Sequence, residues 1–253
     1  MYIIVVLVEL TTSTTFFIGI FSFINAYISK IPCMKGENSM KVGVIAASGK
    51  AGSNILREAL LRNHEAIAIV KNKATLKEPV SAIEKDLFEL TSSDVESFDY
   101  LINAFAPVNG EEHLYVEACK HLISILKSTN TRLFTIGNAG CLFIDREETV
   151  RLHEIEEYPE HLSTIAKYQL QALELLRNST ITWTVINPSK MFDSEGPRTG
   201  HYVLGKEQLI VNSQLISYIS YADLAVAVID EIENAHHINK VFTVASENTT
   251  TAS

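Results

Sequence analysis

The chain has 253 residues, 47% of them hydrophobic, with 30 acidic against 21 basic side chains and a formal net charge of −9. That length and apolar share suit one full-sized α/β domain with a real core, and the acidic balance argues against a nucleic-acid surface. The three cysteines, Cys33, Cys119 and Cys141, have neither metal-ligand nor C-x-x-C spacing, so no metal site is expected; Cys119 and Cys141 read as small apolar residues of a reduced, cytoplasmic protein.

Residues 1–39 stand outside the pattern that follows. Ile3 to Val8 is apolar, Glu9 interrupts it, and Leu10 to Ser29 carries no charge over roughly a bilayer-spanning length, diluted by polar residues. Two readings are open for this leader. It is an upstream extension, with Met40 as the natural start, or it is a membrane anchor. Lys30, Lys35 and Lys41 would then hold the following domain on the cytoplasmic side. A secretory signal is disfavoured by the missing basic n-region.

From Met40 to Asn72 the order is strand, glycine turn, helix, strand. Lys41 to Ala46 is a β-type run and Ser48-Gly49-Lys50-Ala51-Gly52 is the turn. Ile55, Leu56, Ala59 and Leu60 recur at helical spacing, and Ala66 to Val70 is a buried-strand run. This is the order of a dinucleotide-binding βαβ unit. A pyrophosphate must approach backbone N–H groups at the helix N-terminus, where unpaired donors and the helix dipole favour an anion. Side chains at Gly49 or Gly52 would obstruct that approach or force helix and strand apart. In the G-x-x-G-x-x-G spacing the first position is Ala46 rather than glycine.

The alternation continues. Val80 to Ile83 is a weak strand, and Thr91-Ser92-Ser93-Asp94 is a capping box opening a short helix. Asp99 to Phe105 is a strand running into a Pro/Gly loop, Glu111 to Lys127 an amphipathic helix, and Arg132 to Ile136 a strand closed by Gly137-Asn138-Ala139-Gly140. Glu160 to Arg177 is a helix, and Thr180 to Ile186 is a strand stopped at Asn187-Pro188. These elements predict α/β architecture, a doubly wound parallel sheet over residues 40–253. Residues 188–253 are expected to form a substrate-side lid. It would hold short strands at Tyr202 to Leu204 and Gln208 to Val211, a helix capped by Ser220-Tyr221-Ala222-Asp223, and a last strand from Lys240 to Val244.

The residues ending strand two choose the cofactor: a carboxylate there binds the ribose 2′-OH of NAD, a cation the 2′-phosphate of NADP. Here they are Lys71, Asn72 and Lys73, with Lys50 in the turn as a second cation, which favours NADP(H). Asp86 is a candidate acceptor for the adenine amino group, or a helix cap. Ala104, Phe105 and Gly137, at the ends of strands four and five, would line the cofactor trough; Gly137 is equally a plain strand terminator.

On these residues the chain resembles the atypical short-chain dehydrogenase/reductases with an NAD(P)-binding Rossmann fold. It is most similar to the small bacterial branch related to flavin/biliverdin reductase B and the nitrogen-repression regulators. The resemblance is carried by Ala46 to Gly52, Asn103-Ala104-Phe105, Gly137 to Gly140, Trp183 to Pro188 (with Asn187 and Pro188 at the cofactor side), Arg198-Thr199-Gly200 and Tyr218 to Asp223. Typical members use a Tyr-x-x-x-Lys pair, the tyrosine as general acid and the lysine on the nicotinamide ribose. Here Lys167 stands in the lysine register and Ser163 in the tyrosine register. A serine hydroxyl is far too weak an acid for that step, so alcohol–ketone chemistry is not expected. Flavin/biliverdin reductases also lack the tyrosine, and the resemblance implies hydride transfer to a flavin, quinone or similar aromatic small molecule. Tyr158, His153, His161 and His113 are further candidates for stacking or proton supply, each with a bland reading as a loop residue. The alternative from another class is a non-catalytic NADP(H)-binding redox sensor.

Overall fold

The computed structural model describes residues 39–77 and 79–247, and the leader lies outside them apart from Ser39. Among the described residues ten strands and five α-helices follow in the order β1 (Lys41–Ile45), α1 (Lys50–Leu61), β2 (Glu65–Val70), β3 (Ala82–Glu84), α2 (Ser92–Val95), β4 (Tyr100–Asn103), α3 (Leu114–Leu126), β5 (Arg132–Ile136), α4 (Glu160–Arg177), β6 (Trp183–Asn187), β7 (Met191–Asp193), β8 (Val203–Gly205), β9 (Tyr218–Ser220), α5 (Tyr221–Asn234) and β10 (Lys240–Ala245).

Eight strands make one sheet in the order β3-β2-β1-β4-β5-β6-β10-β8. Every pairing is parallel except β10 with β8, whose Val203 to Gly205 runs antiparallel to Thr243 to Ala245. The strand order reverses between β1 and β4. That reversal opens a crevice at their carboxyl ends, where open α/β sheets bind ligands.

Side chains that alternate along the strands feed two cores. On one face Val42, Val44 and Ile102 pack with Ile55 and Leu56 of α1 and Leu224, Val228 and Ile232 of α5. On the other, Leu101 and Leu133 pack with Leu122 and Leu126 of α3 and Leu173 and Leu176 of α4. Both faces are covered, which is why the strands read as continuous apolar runs rather than alternating ones.

The predicted capping box forms: the Thr91 backbone N–H and Oγ1 donate to Asp94 Oδ2 at 2.8 and 2.7 Å. Ser220 Oγ likewise caps α5 by accepting from Asp223 N–H at 2.9 Å. Gln208 to Val211 is not a strand. Only Gln208 bridges, to Phe143, because the segment turns away after Leu209 N–H donates to the Phe143 carbonyl at 2.7 Å. Residues 188–247 are built largely into the body of the fold. β10 sits inside the sheet between β6 and β8, and α5 covers its face. β7 and β9 pair as a separate two-stranded sheet. Among the described residues no helix is long and apolar enough to cross a membrane.

Candidate functional site

The β1–α1 turn is held by Gly49 N–H donating to the Ala46 carbonyl at 2.9 Å. Ala46 adopts φ 56°, the left-handed region that favours glycine, so the alanine takes the glycine conformation at a steric cost. A Cβ on Gly52 would collide with the Ala46 carbonyl oxygen and come within 2.9 Å of Ala46 C and Ala47 Cα. Only hydrogen fits there, which lets α1 begin hard against β1. No side chain caps α1, and its first turn holds no acidic residue. Its leading N–H groups and dipole therefore face the crevice, suited to a pyrophosphate.

The crevice has two halves, each a cavity of about 340 Å³. The first runs from Ala46 and Ser48 past Lys71, Asn72 and Thr75 to Phe88 and Pro107, with Lys85 and Glu111 at its margin. The second runs from Gly49, Lys50 and Ala51 past Ala104, Phe105 and Gly137 to Tyr115, Gln169, Phe192 and Tyr221. Ala46, Phe105 and Ala106 belong to both, so the halves form one trough around the glycine turn. Its small residues and helix N-terminus suit a dinucleotide, which the doubly wound strand order would set with adenosine toward β2 and nicotinamide toward β5.

At the β2 end Lys71 is largely exposed, and its Nζ lies 2.6 Å from Asp86 Oδ2. That contact raises the Lys71 pKa above its ordinary value. Burial raises the Asp86 pKa, but the hydrogen bonds from Lys71 and the Phe88 N–H outweigh it and leave the carboxyl below the usual range. Asp86 is thus both ion-paired and a cap on residues 87–89, and it stands outside the cavity lining. Asn72 Oδ1 accepts from Ala74 N–H at 2.8 Å, which fixes the turn after β2.

At the β5 end Gly137 is required by its neighbour, because a Cβ there would overlap Asn187 Oδ1. That oxygen accepts from Asn138 N–H at 3.2 Å and ties β6 to the loop after β5. Asn187 and Pro188 are buried. Neither lines either half of the trough, contrary to the expectation from sequence: Asn187 lines only the smaller adjoining cavity, because its side chain is turned onto the loop after β5.

Helix α4 resolves the register question. Ser163 is buried, and its Oγ donates to the His153 carbonyl at 3.0 Å, pinning the loop before the helix. Lys167 is exposed and lines neither half of the trough. The residue α4 presents to the trough is Gln169, about 200° around the helix from Lys167 at 100° per residue. Sequence reasoning missed Gln169, although it falls on the inward stripe with Ala166, Leu173 and Leu176, a polar residue among apolar ones. It also missed Tyr115, Phe192 and Tyr221. The Phe192 and Tyr221 rings stack 3.6 Å apart beside the helix N-terminus. Tyr158 is buried, its hydroxyl donating to Asn138 Oδ1 at 3.3 Å, and His153 Nδ1 meets the Gly140 carbonyl at 3.0 Å. Both hold the loop after β5. His161 is exposed.

The segment after Gly196 is tied down. Arg198 Nε and Nη2 donate to buried Glu58 of α1 at 2.7 and 2.8 Å, and Arg62 Nε reaches the same carboxylate at 2.9 Å. Thr199 Oγ1 and Gly200 N–H donate to Asp223 at 2.6 and 2.8 Å. Among the described residues no cluster of three or more His, Cys, Asp or Glu could hold a metal.

Comparison with known proteins agrees with this geometry. The model of the NAD(P)H-binding family matches residues 46–234. YwnB of Bacillus subtilis (strain 168), an uncharacterised protein, is 49% identical over 211 residues, spanning 82% of this chain and 99% of YwnB. The crystal structure of SP1627 from Streptococcus pneumoniae TIGR4, described as "a putative NADH-flavin reductase", is 39% identical with a TM-score of 0.79, covering 83% of this chain and all of that one. A Lactobacillus casei protein of 29% identity aligns with a TM-score of 0.73 over 82% of this chain and 99% of its own. A glycine-turn trough on a doubly wound sheet and a family match over most of the chain lead to one conclusion: the chain belongs to the NAD(P)H-binding family of Rossmann-fold proteins.

Proposed function

We propose that the protein is an NADPH-dependent reductase of flavins, quinones or similar planar aromatic acceptors. A bound reduced nicotinamide supplies the hydride. The chain's own residues position the two partners and exclude water, and none acts as the acid of a tyrosine–lysine pair. The observation that carries this reading is Ser163: the residue in the acid's register is a buried serine, committed to the His153 carbonyl. Tyr115, at the nicotinamide end, is no substitute, because burial pushes its phenol up to about 12, opposite to the shift a tyrosine acid needs. Electron-poor aromatic acceptors need close placement over the nicotinamide more than proton donation. The walls supplied by Phe105, Tyr115, Phe192 and Tyr221 suit a planar ring system.

The preference for NADPH rests on Lys71, which lines the adenosine half and is paired with Asp86; Lys85, which also lines it, is held by both carboxylate oxygens of Asp94 at 2.8 Å. Lys71 can exchange Asp86 for a 2′-phosphate, a partner of higher charge. The test is anaerobic oxidation of NADPH and of NADH with FMN and with a soluble quinone. Saturable, acceptor-dependent oxidation favouring NADPH is expected. Tight binding with no oxidation above the uncatalysed rate would replace this reading with a cofactor sensor.

A further inference from the structure

Among the described residues Gln169 is the trough-lining side chain with a buried polar atom left without a hydrogen-bond partner. That atom is its Oε1, shielded from solvent. Gln169 lines the nicotinamide half of the trough and also an adjoining smaller cavity of about 40 Å³, where Leu122, Leu133, Leu173 and Leu176 stand beside the polar Asn103, Thr135 and Asn187. An amide carbonyl in such surroundings is costly unless something donates to it. Turning the amide over would bury an NH2 group with the same deficit.

From its place on α4 beside Ile136 and Gly137 and from its shielded, unpaired acceptor, we infer that Gln169 turns its amide into the trough when the dinucleotide binds and recognises the carboxamide of the nicotinamide, its Oε1 then accepting from the ligand's amide N–H. A primary amide facing a primary amide can also return a hydrogen bond from Nε2, so the pair would fix which way the carboxamide points. That in turn sets which face of the ring is turned to the acceptor side. The inference rests on the dinucleotide lying across the trough, with its nicotinamide toward Gly137. It does not depend on the identity of the acceptor.

The test uses the full chain and compares NADPH with its 3-acetylpyridine analogue, which keeps the carbonyl and the shape but lacks the N–H donor. Fluorescence or calorimetric titration should give the wild type a preference for NADPH of about tenfold or more, the scale of one buried hydrogen bond left unmade. Gln169→Leu should weaken NADPH binding by a similar factor and bring the two ligands within about twofold of each other. The same variant without ligand should melt no lower than wild type, because an unpaired buried amide contributes nothing to the free protein. A wild type indifferent to the analogue, or a Gln169→Leu variant that keeps the preference, would overturn the inference. So would a drop of several degrees in ligand-free melting, which would assign Gln169 to the structure of α4. Discrimination between the ligands without flavin or quinone reduction would sink the reductase reading and leave this inference standing.

Discussion

The alanine at the head of the glycine turn makes a prediction that runs against the habit of treating substitutions there as harmful. Ala46 holds φ 56°, a conformation that costs a non-glycine residue about 1–2 kcal/mol. Ala46→Gly removes that strain. It also frees the unfolded chain, which offsets about 0.4–1 kcal/mol of the gain. The net effect is a stabilisation of about 0.5–1 kcal/mol, or a rise in melting temperature of about 1–4 °C for a domain of this size. The turn itself should not change, because its hydrogen bond runs from Gly49 N–H to the backbone carbonyl of residue 46. The Ala46 side chain borders both halves of the trough, so NADPH affinity should hold or improve when it is removed. Thermal melts with and without NADPH measure both effects. A lower melting temperature, or an affinity reduced several-fold, would refute the claim that this alanine is a strained stand-in for glycine.

Gly52→Ala should do the opposite. With its Cβ driven into the Ala46 carbonyl, α1 must shift, and dinucleotide binding should fall at least tenfold by titration. Lys71→Glu should erase any preference for NADPH over NADH; a preserved preference would show that another cation reads the 2′-phosphate. Glu58→Gln should destabilise the fold by about 2 kcal/mol, less than a fully buried pair because Arg198 is half exposed. It should also change the acid limb of stability. The Arg198 hydrogen bond holds the Glu58 carboxyl below its ordinary value against the opposing effect of burial. Its contribution is therefore complete above the ordinary glutamate pKa and is lost as pH falls through the lower folded value. Melts across that acid range should fall less steeply for Glu58→Gln than for wild type.

The sheet was legible because its strands are covered on both faces. Such strands appear as apolar runs between amphipathic helices, and α4 begins and ends at the residues its periodicity predicts, Glu160 and Arg177. The segment at residues 208–211 misled for a related reason: its composition favours a strand, but only tertiary pairing decides one, and just one residue of it bridges. The trough's lining at Gly49 and Gly137 could be read from the sequence, as could the close approach of α1 to β1 at Gly52. The trough's aromatic walls could not, since Tyr115, Phe192 and Tyr221 come from three separate elements that only the fold brings together. Lys71 and Asp86 each look like an independent cofactor contact in sequence. In the structure they are partners across fifteen positions, which changes what each has left to offer a ligand. Gln169 was hidden by the Lys167 register, though the apolar stripe of Ala166, Leu173 and Leu176 carries its orientation.

The most direct test of the account is the anaerobic rate of NADPH oxidation by the full chain with FMN, set beside the affinities for NADPH and NADH. The account predicts saturable oxidation that requires the flavin, with NADPH preferred over NADH. Firm nucleotide binding with no acceleration by flavin or quinone would contradict it.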